Sequence, residues 1–292
     1  MKKILVTGSL GQLGRCIQDT TNKYLDFEYK FVDLDELDIS NLEQIQLVFD
    51  EYKPDFCINT AAYTAVDKAE NDTQRAFDVN ANGAKNLAES CLKHNTVLIH
   101  VSTDFVFDGT KSTPYKETDL PNPISVYGAS KWEGEKHIQA ILPKHIIIRT
   151  SWLYSPYCSN FVKTMLRLAE SNSTLNIVSD QIGTPTNASD LAYAIMKVIS
   201  TISLQNNNKS ESFYGTYHFS NEGACSWFDF AKKIFEVNKI EINLKPILTS
   251  SYPTPANRPM FSVLDKTKFK ETFAVKIANW EDKIIKREAI KN

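Results

Sequence analysis

Short apolar runs alternate with amphipathic stretches along the first half of the chain. Ile4-Leu5-Val6 reads as a strand ending at Thr7-Gly8, and the segment from Gly11 to Tyr24 turns helical. Phe31-Val32 forms a second strand ending at Asp33. Over residues 41–52, Leu42, Ile45, Val48 and Phe49 share one helical face, with Ser40 placed to cap it. Pro54 stops that helix before the strand Phe56-Cys57-Ile58. Residues 71–94 read as helix, Val97 to Val101 as strand, 125–140 as helix, and His145 to Arg149 as a β-branched strand. Apolar runs of this length separated by helices predict the α/β class: a doubly wound, Rossmann-type parallel sheet covered on both faces.

After about residue 150 the rhythm changes. Loops carry Ser, Pro, Tyr and Asn (Ser155-Pro156-Tyr157, Thr184-Pro185-Thr186, Tyr252-Pro253-Thr254-Pro255), and helices at 160–170 and 226–237 stand more isolated. Residues 1–150 are expected to form the dinucleotide-binding domain, and 151–292 mainly a smaller substrate-binding lobe, with later segments free to return to the first. The lobe would close over the carboxyl ends of the strands, where α/β sheets bind ligands. The alternative is one larger domain with long surface loops. The polar run Asn206-Asn207-Asn208-Lys209-Ser210 reads as an exposed connection.

Composition narrows the function more than the fold. The 292 residues are 42% hydrophobic and 23% charged with a formal net charge of -2, which argues against disordered, fibrous and strongly basic nucleic-acid-binding classes. No apolar run approaches the roughly 18 residues of a membrane span. Met1 leads directly into the first strand, too short a stretch for a signal-peptide core. Five scattered cysteines without a CxxC pair read as reduced thiols of a cytoplasmic protein, and the histidines show no metal-ligand spacing.

Glycine is sparse: ten residues, where average usage would give roughly 20. Three of them fall in Thr7-Gly8-Ser9-Leu10-Gly11-Gln12-Leu13-Gly14, directly after the first strand and opening a helix. Gly8 permits the tight turn, Gly11 lets the backbone approach a pyrophosphate, and Gly14 allows close packing of the helix. The spacing is GxxGxxG, and a plain turn before a helix competes with the cofactor reading. Asp33 stands close to the ~20-residue offset of an acid that holds an adenosine ribose. Its charge leans toward NADH, Lys30 softens that preference, and Asp35, Glu36 and Asp38 leave an ordinary acidic turn as the alternative.

Tyr127 and Lys131 lie four residues apart on a predicted helix, so they share a face. A tyrosine titrating near pH 10 is a reluctant acid, and a neighbouring ammonium is expected to lower its pKa. Strand 97–101 runs into Ser102-Thr103-Asp104, which brings hydroxyls to the sheet edge that can bond a substrate carbonyl. The combination points to hydride transfer. An exposed Tyr–Lys pair and ordinary strand-end turn chemistry are its bland counterparts.

With these motifs the sequence resembles the extended short-chain dehydrogenase/reductases, and within them the branch that reduces dTDP-linked 4-keto-6-deoxysugars. The resemblance runs over almost the whole chain, through TGSLGQLG (7–14), NTAAYTAVDKAE (59–70), STDFVFDG (102–109), YGASKWEGE (127–135), RTSWLY (149–154), DQIGTPT (180–186) and YPTPANRP (252–259). It implies NADPH or NADH as cofactor, Tyr127 as the proton donor to the sugar C4 oxygen, and Thr103 as a second hydrogen-bond donor to it. Lys131 would hold the nicotinamide ribose and tune Tyr127. Gly8, Gln12 and Leu13 match the pyrophosphate loop, and Asp38-Ile39 the pair beside adenine. Ala61, Ala62 and Tyr63 would flank the cofactor. Asp104, Val106 and Trp152 match positions around the deoxysugar, and Arg258 a partner for the diphosphate. Trp152 as a core aromatic and Arg258 as a plain surface residue remain the competing readings.

The sequence departs from this pattern once. Members of the family often carry a glutamate just after the glycine loop that contributes to a magnesium-linked dimer, and here the residue is Arg15. No required metal is therefore expected, and a homodimer stays open. Competing functions are a nucleotide-sugar dehydratase or epimerase, reduction of another 4-keto sugar nucleotide, and a non-catalytic partner similar to the regulatory subunit of methionine adenosyltransferase. A dehydratase needs a glutamate after Thr-Asp, where this chain has Phe105.

Overall fold

Six parallel strands form the central sheet of the computed structural model, which describes residues 1–204 and 213–291. They are β1 (Lys2–Thr7), β2 (Phe27–Val32), β3 (Phe56–Asn59), β4 (Val97–Thr103), β5 (His145–Thr150) and a sixth, Gly215–His218. Their spatial order is Gly215–His218, β5, β4, β3, β1, β2. The chain leaves β1 toward β2 on one side and crosses back to β3 on the other, so the switch point where such sheets bind ligands lies between β1 and β3. The register aligns Thr7 with Asn59, Asn59 with His100, and Thr103 with Thr150. Polar strand ends thus gather along one edge.

Both faces of the sheet are covered. On one, Leu13, Cys16 and Ile17 of the helix Gln12–Gln18 meet Leu191, Ile195 and Ile199 of the helix Ala188–Ser203, with Phe269 and Phe273 beside them. On the other, Ile45 and Phe49 pack with Leu87, Cys91 and Ile138. The sixth strand and the helix Ala188–Ser203 both come from beyond residue 150 and belong to this layer. A separate cluster joins the helices Phe161–Ala169 and Trp227–Val237 to the paired strands Thr174–Val178 and Asn243–Ile247.

Local differences from the sequence reading have physical causes. Asn41, not Ser40, caps the helix Leu42–Tyr52 by accepting from the Gln44 N–H, because the Ser40 hydroxyl is bonded to Asp38. That helix ends where Lys53 turns left-handed ahead of Pro54. The first helix stops at Gln18, followed by a single 3₁₀ turn at Thr21–Lys23. The stretch 71–94 breaks into Thr73–Phe77, a wide π-type turn at Asp78–Asn82, and Gly83–His94. Such bulges recur at functional sites, and this one delivers Asn80 inward. The run 206–210 lies outside the described residues.

Candidate active site

A cleft of about 850 Å³ runs along the carboxyl edge of the sheet, from the loop after β1 to the second lobe. That size suits a ligand larger than a single metabolite. The glycine loop forms one end of it. Gly8 sits at φ +68, where L side chains rarely go, and a Cβ there would meet the Ala61 backbone at 2.6 Å. Gly11 caps the helix with no side-chain bond and lines the cleft with Gln12 and Leu13. Gly14 does not line it. It lies under the loop, where a Cβ would be 2.4 Å from the Gly8 carbonyl oxygen. The backbone is therefore exposed where a phosphate would approach, as the dinucleotide reading requires.

Asp33 is anchored to this loop. One carboxylate oxygen accepts from the Leu10 N–H at 2.7 Å and the other from the Leu34 N–H at 2.8 Å. Lys30 does not approach it, being directed to Glu51 and the Tyr52 ring. Asp38 accepts from Ser40 and pairs with Arg75 at 3.3 Å, which together hold its carboxyl below the usual range against the opposing effect of burial. Arg75 was not legible as a cleft residue. Ile39 is buried beside the helix that begins at Gly83.

The loop after β3 is pinned from two sides. Asn59 Oδ1 accepts from the Ala61 N–H at 3.1 Å, and Asn80 Oδ1 from the Tyr63 N–H at 2.9 Å. Asn80 also donates to the Ser130 hydroxyl at 3.0 Å, tying Ala61, Ala62 and Tyr63 to the helix that carries Tyr127 and Lys131. Sequence reading missed Asn80, because its partners lie 17 and 50 residues away.

That helix, Val126–Ile141, is capped by Ser125 and carries Tyr127 and Lys131 into the cleft. Glu135, one turn beyond Lys131, is wholly buried, takes a bidentate bond from Arg149 and accepts from Ser102 at 2.5 Å. This ion pair fastens the helix to β4 and β5. It also occupies the Ser102 hydroxyl and leaves that of Thr103 for the cleft. Thr103 donates to Asp104 Oδ1 at 3.1 Å and bonds the Tyr127 phenol.

The electrostatics differ from expectation at the tyrosine. Burial pushes the Tyr127 phenol up to about 12, with the Thr103 hydrogen bond opposing and Asp104 adding to the rise. Lys131 does not lower it. The lysine nitrogen is turned to the Val101 carbonyl at 2.7 Å and to His100 Nε2 at 3.2 Å, and burial brings it down to about 8. Asp104 is buried, and desolvation raises it to about 6 against the lowering effect of hydrogen bonds from Ser262 and Thr103.

Trp152 lines the cleft and also packs against the apolar cluster of the helices Phe161–Ala169 and Trp227–Val237. It sits at φ 46, stacked on Trp227 with ring centroids 3.5 Å apart, its edge against Gly183. Arg258 also lines the cleft, held by both oxygens of Asp67 at 3.0 and 2.7 Å. Val106 does not join them. The 3₁₀ turn Asp104–Val106 directs it into a small apolar cluster with Phe107, Tyr115 and Leu264. Arg15 donates to the Leu10 carbonyl and lies over the Tyr157 ring, which puts a cation where a magnesium ligand was in question. Among the described residues no group of three or more His, Cys, Asp or Glu could hold a metal, and no helix is long and apolar enough to cross a membrane.

Comparison with known proteins follows this geometry. The family model of the RmlD substrate binding domain matches residues 1–290. The chain belongs to the RmlD family. It is 43% identical to a dTDP-4-dehydrorhamnose reductase of Aggregatibacter actinomycetemcomitans over 96% of each chain. A crystal structure of dTDP-4-dehydrorhamnose reductase from Bacillus anthracis in complex with NADP superposes with TM-score 0.91 at 40% identity, covering 97% of this chain and 98% of that one. A Thermus thermophilus UDP-glucose 4-epimerase complexed with NAD, at 20% identity and TM-score 0.76 over 92% of each chain, shares the fold alone.

Proposed function

We propose that this RmlD-family protein reduces the C4 keto group of dTDP-4-dehydro-6-deoxy-L-mannose to give dTDP-L-rhamnose, for cell-surface polysaccharide synthesis. The observation that carries the reading is the meeting of Thr103 and Tyr127 hydroxyls on the cleft wall, between the glycine loop and the Trp152–Arg258 end. Gly8, Gly11, Gln12, Leu13 and the loop Ala61-Ala62-Tyr63 would hold the dinucleotide, with Asp33, Asp38 and Ile39 at its adenosine end. Bound NADPH or NADH supplies hydride to C4.

The chain's own residues do the rest. Tyr127, protonated at neutral pH, gives its proton to the C4 oxygen as negative charge develops there. Thr103 turns its single hydroxyl proton from Asp104 to the same oxygen and orients it. Asp104, on the cleft lining, accepts from a sugar hydroxyl. Trp152 covers the sugar face, and Arg258 offers its guanidinium to the diphosphate. Lys131 anchors the cofactor ribose. Phe105, in the position of a dehydratase's acid, has no proton to give to a departing hydroxyl. Residues 1–150 supply most of the dinucleotide site and the later chain most of the sugar-nucleotide end. A cytoplasmic location suits the five free cysteines, and a homodimer built without a shared metal suits Arg15.

The test is direct. Purified protein is given dTDP-4-keto-L-rhamnose, formed in situ from the 4-keto-6-deoxyglucose precursor by a 3,5-epimerase, and loss of reduced-nicotinamide absorbance is followed. Oxidation above a no-enzyme control is expected with NADPH or NADH. Its absence with both cofactors would sink the assignment.

A further inference from the structure

Behind the catalytic helix lies a buried polar chain that the reaction as described does not use. Thr7 Oγ1 donates to Asn59 Oδ1 at 2.7 Å, Asn59 Nδ2 meets His100 Nδ1 at 3.0 Å, and His100 Nε2 meets Lys131 Nζ at 3.2 Å. Asn59, His100 and Lys131 are all nearly inaccessible to solvent. The chain joins the ends of β1 and β3 and the middle of β4 to the lysine.

Its polarity is fixed at one end. The Ala61 N–H can only donate, and its acceptor is Asn59 Oδ1. The Asn59 amide therefore has its oxygen toward Ala61 and Thr7 and its NH₂ toward His100. His100 Nδ1 must then accept. A neutral imidazole accepting at Nδ1 carries its proton on Nε2, and that N–H faces Lys131. An ammonium has three donors and no lone pair, so it cannot accept from it. A free amine can, while one of its own N–H groups bonds the Val101 carbonyl.

We infer that His100 is a positioning residue that favours Lys131 as a neutral amine, so that charging the lysine requires the imidazole to move its proton to Nδ1 at the expense of the Asn59 bond. The inference rests on the proposed reductase reading only for the role of Lys131. Protonation of the lysine is thereby coupled to the loop Ala61-Ala62-Tyr63 on the other side of Asn59. Three other titratable groups come near this chain. Glu135, on the lysine's own helix, favours the ammonium but is neutralised by Arg149. His145 on β5 opposes charge on His100, and Tyr127 lies one turn before Lys131. Burial and His145 hold His100 neutral, well below the ordinary imidazole range, and a charge on Lys131 would push it lower still.

The experiment reads the ring directly, on full-length protein without added dinucleotide or sugar. Nitrogen-15-labelled histidine is observed by long-range proton–nitrogen NMR in wild type and in Asn59→Asp. A carboxylate at 59 still accepts from Thr7 and Ala61 but can only accept from His100, which reverses the chain. Wild type above the lysine's titration is expected to show His100 as the Nε2–H tautomer, and Asn59→Asp the Nδ1–H tautomer. In the variant, the Lys131 amine, followed by nitrogen-15 lysine labelling, is expected to titrate about one unit or more higher, and an unmoved titration would overturn the coupling. A wild-type Nδ1–H tautomer, a charged His100, or one tautomer shared by both proteins would overturn the inference. Should the variant fail to fold, the wild-type spectrum alone decides. Because the tautomer is read without turnover, a protein that fails to reduce the sugar nucleotide but shows the Nε2–H ring would count against the function and not against this coupling.

Discussion

Phe105 packs edge-on against Tyr127, with ring centroids 5.6 Å apart and planes at 72°. This contact holds the acid's ring from one side while Thr103 bonds its hydroxyl from another, so the phenol can be removed without moving the ring. Tyr127→Phe is expected to fold normally and bind cofactor with near wild-type affinity. Its turnover should fall by about 10²–10⁴-fold, the contribution of a positioned general acid. Wild-type turnover in a steady-state assay would remove Tyr127 from that role.

Gly14 supports the phosphate loop without touching the cleft. Gly14→Ala puts a methyl group 2.4 Å from the Gly8 carbonyl oxygen and 2.6 Å from Ser9 Cα, so the loop must shift. A loss of about 1–3 kcal/mol in stability is expected. Dinucleotide affinity should weaken further than stability alone explains, as titration of the folded variant by calorimetry will show.

Asn80 joins the loop Ala61–Tyr63 to the helix Val126–Ile141. In Asn80→Ala the Tyr63 N–H and the Ser130 hydroxyl both lose this partner, at a cost of about 1–3 kcal/mol. Chemical denaturation measures that loss. The Michaelis constant for the reduced cofactor is expected to rise, and an unchanged value would show that the Ala61–Tyr63 loop is held without Asn80.

Asp104 makes stability depend on pH. Its folded pKa of about 6 lies above the ordinary 3.8, so the contribution it makes is complete below 3.8 and is lost as pH rises through 6. Asp104→Asn removes this dependence. Relative to wild type, the variant is expected to gain up to about 3 kcal/mol between pH 3.5 and pH 7. Denaturation curves at the two pH values test it, and a constant difference would mean that the carboxyl titrates normally.

Arg258 reaches the cleft from a bidentate grip on Asp67. Arg258→Lys keeps the charge but loses the planar fork. The Michaelis constant for the sugar nucleotide should rise by about tenfold or more, with turnover little changed. A variant that matches wild type would place the diphosphate elsewhere.

Much of this was legible because it is local. β1, β3, β4 and β5 are rich in β-branched and apolar residues, and the Tyr127–Lys131 pair is set by helical spacing alone. By contrast, β2 (FEYKFV) showed only its last two residues, and Gly215–His218 (GTYH) carried no strand signal. The rest depends on partners remote in sequence. Helical periodicity passes through Asp78–Asn82 without a mark, since only Tyr63 and Ser130 make the wide turn worth forming. Trp152 met Trp227 across the second lobe, and no motif announced it. The electrostatics of Lys131 depend on remote partners too. Spacing puts an ammonium beside a phenol, whereas burial lowers that ammonium's pKa to about 8 and its nitrogen turns to Val101 and His100.

The position of Gly215–His218 at the edge of the sheet has a consequence for how the chain emerges during synthesis. When the last residue of β5 leaves the ribosome, the nucleotide-binding motifs are already out, yet β5 still has one bare edge. The apolar face that the helix Ala188–Ser203 will cover is still wet. Nearly seventy more residues must follow before that edge is paired. A chain arrested near residue 150 would therefore offer an unprotected strand to its neighbours, and the nascent protein is most prone to aggregate in the interval before its sixth strand arrives.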